Sequence, residues 1–220
     1  KPGYWQELAA TIDVDWWTRA APGRDLSGSP RIRLFDDFVS DDVCRWLIGR
    51  AAGRLSRALV YEALRKEVTV HPTRTNTAAS FSMLETDFVC VLTQVRMAAA
   101  IDVPFRQFEP ITVLHYAEGE EITEHFDFVD PEVPDYEQEI AQRGQRIATF
   151  LIYLNDAYGG GETEFPRVGV RHKGRTTQAI VFINALPDGS ADVRTLHAGR
   201  PPTGGEKWIV SQFVRNRRVF

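Results

Sequence analysis

The chain reads as a mainly β fold with flanking helices (α+β), two packed sheets carrying helices on the outside, and three observations point there. Apolar residues recur at helical spacing twice, in residues 41–55 and 87–100, both early in the chain. From Phe108 onward the texture changes to short strand-like runs cut by turn residues. Two of those runs, RIATFLIYL at 146–154 and AIVFI at 179–183, are apolar almost throughout, as buried strands are.

Each element has its own signal. Residues 4–17, YWQELAATIDVDWW, predict a short helix and an aromatic arm whose tryptophans either cap a core edge or mark a partner surface, with burial of their large area favouring the first. Residues 22–30, PGRDLSGSP, predict a loop, and 31–38 alternate into a strand. Ser40 is an N-cap, with Asp41 and Asp42 favourable in the first turn of the helix that follows. Residues 68–70 predict a strand. The stretch 74–81, RTNTAASF, is polar and small, the composition of a surface loop or of a lid beside a site. The second helix puts Phe88, Val91, Leu92, Val95 and Ala99 on one face and is closed by Pro104. Strands follow at 111–116 and 121–127, then an acidic segment, 131–144, with one helical turn. After the strand at 146–154 come a turn with three consecutive glycines, GETEFP, a strand at 168–172 and the strand at 179–183. KWIVSQFV, 207–214, closes the sheet. The expected organisation is a support region, 1–107, packed on a core, 108–220, as one compact catalytic domain.

Composition narrows the function classes. The chain has 220 residues, 43% hydrophobic, with a formal net charge of −4, so neither disorder nor a general nucleic-acid surface is expected. The basic tail from Arg215 to Arg218 reads as a solvated strand end. No apolar run is long enough to span a bilayer. Cys44 and Cys90 lie in separate apolar patterns, as core thiols rather than a disulfide framework, and the expected compartment is cytoplasmic. The chain opens on Lys1, as a cut-down or processed chain would.

The chemistry concentrates in EITEHFDFVD, 121–130. His125 and Asp127 stand two apart in an alternating segment, and residues i and i+2 of a strand share a face. With the distant His197 they form the two-His, one-carboxylate set that holds Fe(II) and leaves positions open. Lys207 follows ten residues after His197.

The strings LHYAEGEEITEHFDF, QRIATFLIYLND, GGGETEFP, AIVFIN, LHAG and GGEKWIVSQFVR, in this order over 111–215, resemble the Fe(II)/2-oxoglutarate-dependent dioxygenases, in the prolyl 4-hydroxylase branch. The resemblance implies a double-stranded β-helix (jelly roll, cupin-like) core supported by the N-terminal helices. It implies that His125, Asp127 and His197 bind iron and that Lys207 binds the distal carboxylate of 2-oxoglutarate, with Tyr116 and Thr163 in the same pocket. It also implies that Arg146 faces substrate. The reaction would consume dioxygen, hydroxylate an unactivated C–H of a peptidyl-proline-type substrate, and release succinate and carbon dioxide, with ascorbate as reductant. Asp127 itself argues for hydroxylation, since halogenases of this superfamily lack that carboxylate.

The resemblance also has departures. Ile122, Phe213 and Arg215 stand where prolyl 4-hydroxylases often carry an aromatic, a tryptophan and a histidine. Together with Arg74 and Arg146, Arg215 is expected to hold an acidic group or peptide carbonyls of the substrate. Other readings stay open: the same chemistry on another amino acid or a small metabolite, a non-catalytic cupin-like sensor, and a zinc hydrolase. The last would have no use for a buried cation at Lys207.

Overall fold

A computed structural model describes residues 3, 6–7, 10–19, 22–58, 60–62, 67–69, 73–133 and 136–219. In chain order the first half comprises α1 (Val14–Thr18), β1 (Gly23–Gly28), β2 (Arg31–Phe35), α2 (Asp41–Ala52), β3 (Ser56–Arg57), β4 (Val60–Glu62), β5 (Glu67–Thr69), β6 (Thr77–Ser80) and α3 (Phe88–Ile101). The second half comprises β7 (Thr112–Tyr116), β8 (Ile122–His125), α4 (Tyr136–Arg143), β9 (Arg146–Tyr153), β10 (Gly159–Gly160), β11 (Thr163–Phe165) and β12 (Val170–His172). It ends with β13 (Ala179–Ile183), β14 (His197–Gly199), β15 (Pro202–Thr203) and β16 (Lys207–Arg215).

Among the described residues, eight strands form a large antiparallel sheet in the order β1-β2-β13-β9-β16-β7-β6-β3. Four form the facing sheet, in the order β12-β11-β14-β8. Strand β9 shows why its sequence is apolar on both faces. Ala148, Phe150 and Ile152 join the core between the large sheet and the helices, whereas Leu151 and Tyr153 join the core between the sheets. A strand covered on both sides has no solvent face on which to alternate.

The region before residue 108 does more than pack on the outside. Its strands β1, β2, β3 and β6 flank the large sheet on both sides. The expected loops at 22–30 and 74–81 therefore contain β1 and β6. Main-chain pairing with β2 and β7 fixes them, and pairing of this kind leaves no apolar period in the sequence. The acidic segment holds an eight-residue helix, α4, more than the single turn expected.

The helices start as their caps dictate. Ser40 accepts the Val43 amide and Asp87 accepts that of Cys90. Helix α3, however, is rotated from the expected face: Phe88 is exposed, while Cys90, Thr93, Gln94 and Met97 are buried. Thr93 Oγ1 donates back to the Val89 carbonyl of its own helix, whereas Gln94 Nε2 donates to the distant Glu109 carbonyl and to Gln212 Oε1. Arg96 on the same helix stacks over the Trp16 ring at 3.6 Å and donates to the Phe38 carbonyl, so Trp16 covers a core edge. Tyr4, Trp5 and Val70, included in the expected arm and strand, lie outside the described residues. No described helix is long and apolar enough to cross a membrane.

Candidate active site

The facing sheet brings the two distant histidines together. In the β14–β8 pair, His197 lies directly opposite His125, a placement that puts side chains within contact, and the ring centroids are 4.2 Å apart. Each imidazole uses Nδ1 against a main-chain carbonyl: His125 with Thr123 O at 2.8 Å, His197 with Thr195 O at 3.0 Å. A carbonyl only accepts, so Nδ1 carries the proton and Nε2 presents its lone pair. Both Nε2 atoms face Asp127, His125 at 3.5 Å from Oδ1 and His197 at 3.4 Å from Oδ2.

Asp127 lies in a bend just past the end of β8 rather than on the strand itself. Its carboxylate still meets the imidazoles, and the three ligand atoms lie within 4.8 Å of one another. Burial pushes the Asp127 carboxyl up, but the facing His197 and His125 imidazoles and a Thr149 hydroxyl hold it well below the usual range. Burial pushes His197 down to about 4, against the pull of Asp127. A carboxylate and two imidazoles that turn Nε2 toward one point are the donor set a divalent ion takes, so the residues fit Fe(II). Thr149 was missed in the sequence. Its one signal is a hydroxyl inside RIATFLIYL, where its neighbours are apolar; Asn184 Nδ2 donates to it from just past the end of β13 at 3.0 Å.

His125, Asp127 and His197 line a cavity of about 560 Å³. At its buried end Lys207 lies opposite Tyr116 in the β16–β7 pair, its ammonium 5.3 Å from the ring centroid. Thr163, on β11, reaches the same end and accepts from Tyr153 Oη at 2.9 Å. Lys207 is 1% exposed, and its Nζ donates to the Gly161 carbonyl at 2.7 Å. That carbonyl is presented by a backbone at φ 69°, and a Cβ on Gly161 would strike the Tyr158 ring at 2.5 Å, which explains one of the three glycines. Lys207 forms no ion pair with a carboxylate among the described residues. Burial pushes its ammonium down to about 7, with Glu162 only partly opposing. A carboxylate arriving here would meet an ammonium and hydroxyls in a dry pocket.

The arginines divide. Arg74 and Arg146 line the cavity. Arg74 Nε donates to Asn76 Oδ1. Arg146 is engaged by Glu109 through Nε at 2.8 Å and Nη2 at 3.1 Å, stacks over Phe213 at 3.8 Å, and reaches Asp127 O with Nη1 at 3.5 Å. Arg215, expected to face substrate and read as part of a solvated tail, is fully buried. It donates to Glu109 Oε1, the Gly144 carbonyl and Glu139 Oε1. Its neutralising carboxylates lie far away in sequence, which is why the tail looked solvated.

The sequence profile of the 2OG-Fe(II) oxygenase superfamily matches residues 111–215. The chain belongs to that superfamily, in its prolyl 4-hydroxylase-like branch, and its two sheets are the double-stranded β-helix. Among its relatives, a probable prolyl 4-hydroxylase 9 of Arabidopsis thaliana is 31% identical, over 89% of this chain and 72% of the relative. Prolyl 4-hydroxylase subunit alpha-1 of Gallus gallus is 33% identical over 86% of this chain. The chain spans 36% of that subunit and 64% of the probable prolyl 4-hydroxylase 7 of Arabidopsis thaliana. The viral collagen prolyl hydroxylase of Paramecium Bursaria Chlorella virus-1, in its 2OG complex, superposes with a TM-score of 0.64 at 27% identity, covering 84% of this chain and 95% of that one. The family takes Fe(II) and 2-oxoglutarate, and the zinc-hydrolase reading falls with that membership.

Proposed function

We propose that this chain hydroxylates prolyl residues of peptide substrates, consuming dioxygen and 2-oxoglutarate and releasing succinate and carbon dioxide. The observation that carries the reading is Lys207: a buried ammonium with no carboxylate partner among the described residues, in the same cavity as His125, Asp127 and His197. A buried ammonium without a carboxylate is unfavourable, and an arriving anion relieves it. The prolyl target is supported by the names of the relatives and of the viral structure.

His125, Asp127 and His197 would hold the iron, which supplies the activation of dioxygen and the oxidation of the C–H bond. Lys207 would bind the distal carboxylate of 2-oxoglutarate, with the Tyr116 and Thr163 hydroxyls taking its remaining lone pairs. The Thr123 and Thr195 carbonyls keep both imidazoles in the ligating tautomer. Arg146 is charge-balanced by Glu109, so its free N–H edge suits a peptide carbonyl better than a second carboxylate. Arg74, on the cavity wall, is the second candidate for that contact. Ascorbate is the proposed reductant. The free, buried Cys44 and Cys90 support the expected cytoplasmic setting.

A free amino acid or small metabolite is the alternative target. The test is incubation of the protein with Fe(II), 2-oxoglutarate, ascorbate and a panel of proline-containing peptides and free amino acids. Succinate release coupled to a gain of one oxygen on a peptidyl proline is the expected result. Oxygen gained only by a free amino acid would move the target, and succinate release from none of them would remove the enzyme reading.

A further inference from the structure

We propose that Arg215 is a positioning residue: acting through Glu139, it holds helix α4 as a fixed wall of the cavity entrance, and this wall governs how a peptide enters. The inference rests on the peptide reading above. It begins with what does not hold the helix in place. None of the eight residues of α4 is buried. Its inward side, Tyr136, Glu139 and Ile140, is only half-buried, so apolar burial contributes little to fixing its angle. Yet Tyr136 and Glu139 line the cavity beside Arg146 and Asp130, so the angle of α4 sets the shape of the opening.

The fixing contacts are polar and come from the end of β16. Arg215 Nη2 donates to Glu139 Oε1 and Nη1 to the carbonyl of Gly144, one residue past the helix. Two points on one segment, five residues apart, define its orientation, whereas one would leave a pivot. Next to them, Gln145 N donates to Asn216 Oδ1 and Asn216 N to the Gln145 carbonyl, while Arg217 Nη1 donates to the Ala141 carbonyl. Arg215 and Arg146 are direct neighbours across the β16–β9 pair, a repulsive placement for like charges. Glu109 Oε1 accepts from both, at 2.6 and 2.8 Å, and makes the placement tolerable. The guanidinium of Arg215 therefore has one end spent on the barrel and the other on the helix. Through that second end this chain ties its entrance wall to the last strand.

The experiment compares wild type with Glu139→Ala and Glu139→Gln, the second keeping an acceptor for Arg215. Hydrogen exchange of amides 137–144 is read without substrate. A loss of protection of about tenfold or more in Glu139→Ala, confined to that segment and partly restored in Glu139→Gln, is expected. Kinetics on a Gly-Pro-Pro repeat peptide should show the KM for peptide shifted at least about threefold, with kcat and the KM for 2-oxoglutarate moving less. Unchanged protection would overturn the latch. Lost protection with an unchanged ratio of the two KM values would overturn the role of the wall in entry. If wild type itself turns over no peptide, the peptide reading fails, and the exchange result alone still decides whether Arg215 and Glu139 fix the helix.

Discussion

At the buried end of the cavity Lys207 sets one ammonium against a carbonyl and two tyrosine rings. At its outer end Arg146 and Arg215 set two guanidiniums against Glu109 and Glu139. Both groups are cations on strands of the same sheet, Lys207 and Arg215 buried and Arg146 half-buried, yet only the second group is electrically balanced. Burial and two arginines act on Glu109 in opposite directions; the arginines win, and its carboxyl is held below the usual range. Nothing comparable offsets burial at Lys207, which is pushed down to about 7. A balanced cluster needs no further partner and belongs to the architecture. An unbalanced charge lowers the stability of the empty protein and acquires its use only when an anion arrives.

The coarsest break strikes Asp127, which stands between the two ends with its carbonyl reached by Arg146. Asp127→Ala should abolish iron retention and hydroxylation together, read as metal content and as oxygen gained by peptide; hydroxylation retained at wild-type level would remove its assigned role. The next break compares removal of one member from each end. Glu109→Gln leaves the buried Arg215 and the half-buried Arg146 short of charge and should destabilise by about 3 kcal/mol. Lys207→Met removes the unbalanced charge and should stabilise the metal-free, ligand-free protein by roughly 2–4 kcal/mol near pH 7. Denaturant melts of the two variants should therefore shift in opposite directions, and a shared direction would erase the distinction between the ends.

A smaller effect sharpens it through pH. The folded pKa of Lys207 is depressed, so between about 7 and its ordinary value the unfolded chain holds a proton that the folded chain lacks. Stability should rise with pH across that window in wild type, and the rise should be reduced in Lys207→Met. In the same window 2-oxoglutarate needs the ammonium restored, so its affinity should fall by up to about tenfold per pH unit above 7. A flat profile would mean that Lys207 keeps its proton without help.

Much of the site could be read from the chain because its parts are local or recur at fixed spacing. His125 and Asp127 are two residues apart, and Lys207 lies ten after His197 within one β14–β16 unit. Alternation and turns gave the β core, and Ser40 marked one helix start. What escaped is the pairing of distant groups. Arg215 looked solvated because Glu109 and Glu139 are 106 and 76 residues away. Helix α3 was rotated because Gln94 has partners at Glu109 and Gln212 that no periodicity reveals. Strands β1 and β6 show no apolar alternation beyond Leu26 and two alanines and are held by main-chain bonds to their neighbours, which leave no pattern in side chains.

The most direct measurement is the affinity of 2-oxoglutarate for the protein loaded with Mn(II), in place of Fe(II) to prevent turnover, titrated calorimetrically in wild type and in Lys207→Met at pH 6.5. Removing a buried, hydrogen-bonded charge partner costs about 2–5 kcal/mol, so the affinity should fall roughly 100-fold while Mn(II) binding alone is retained. Equal affinities in the two proteins would mean that the ammonium at the buried end does not await that carboxylate.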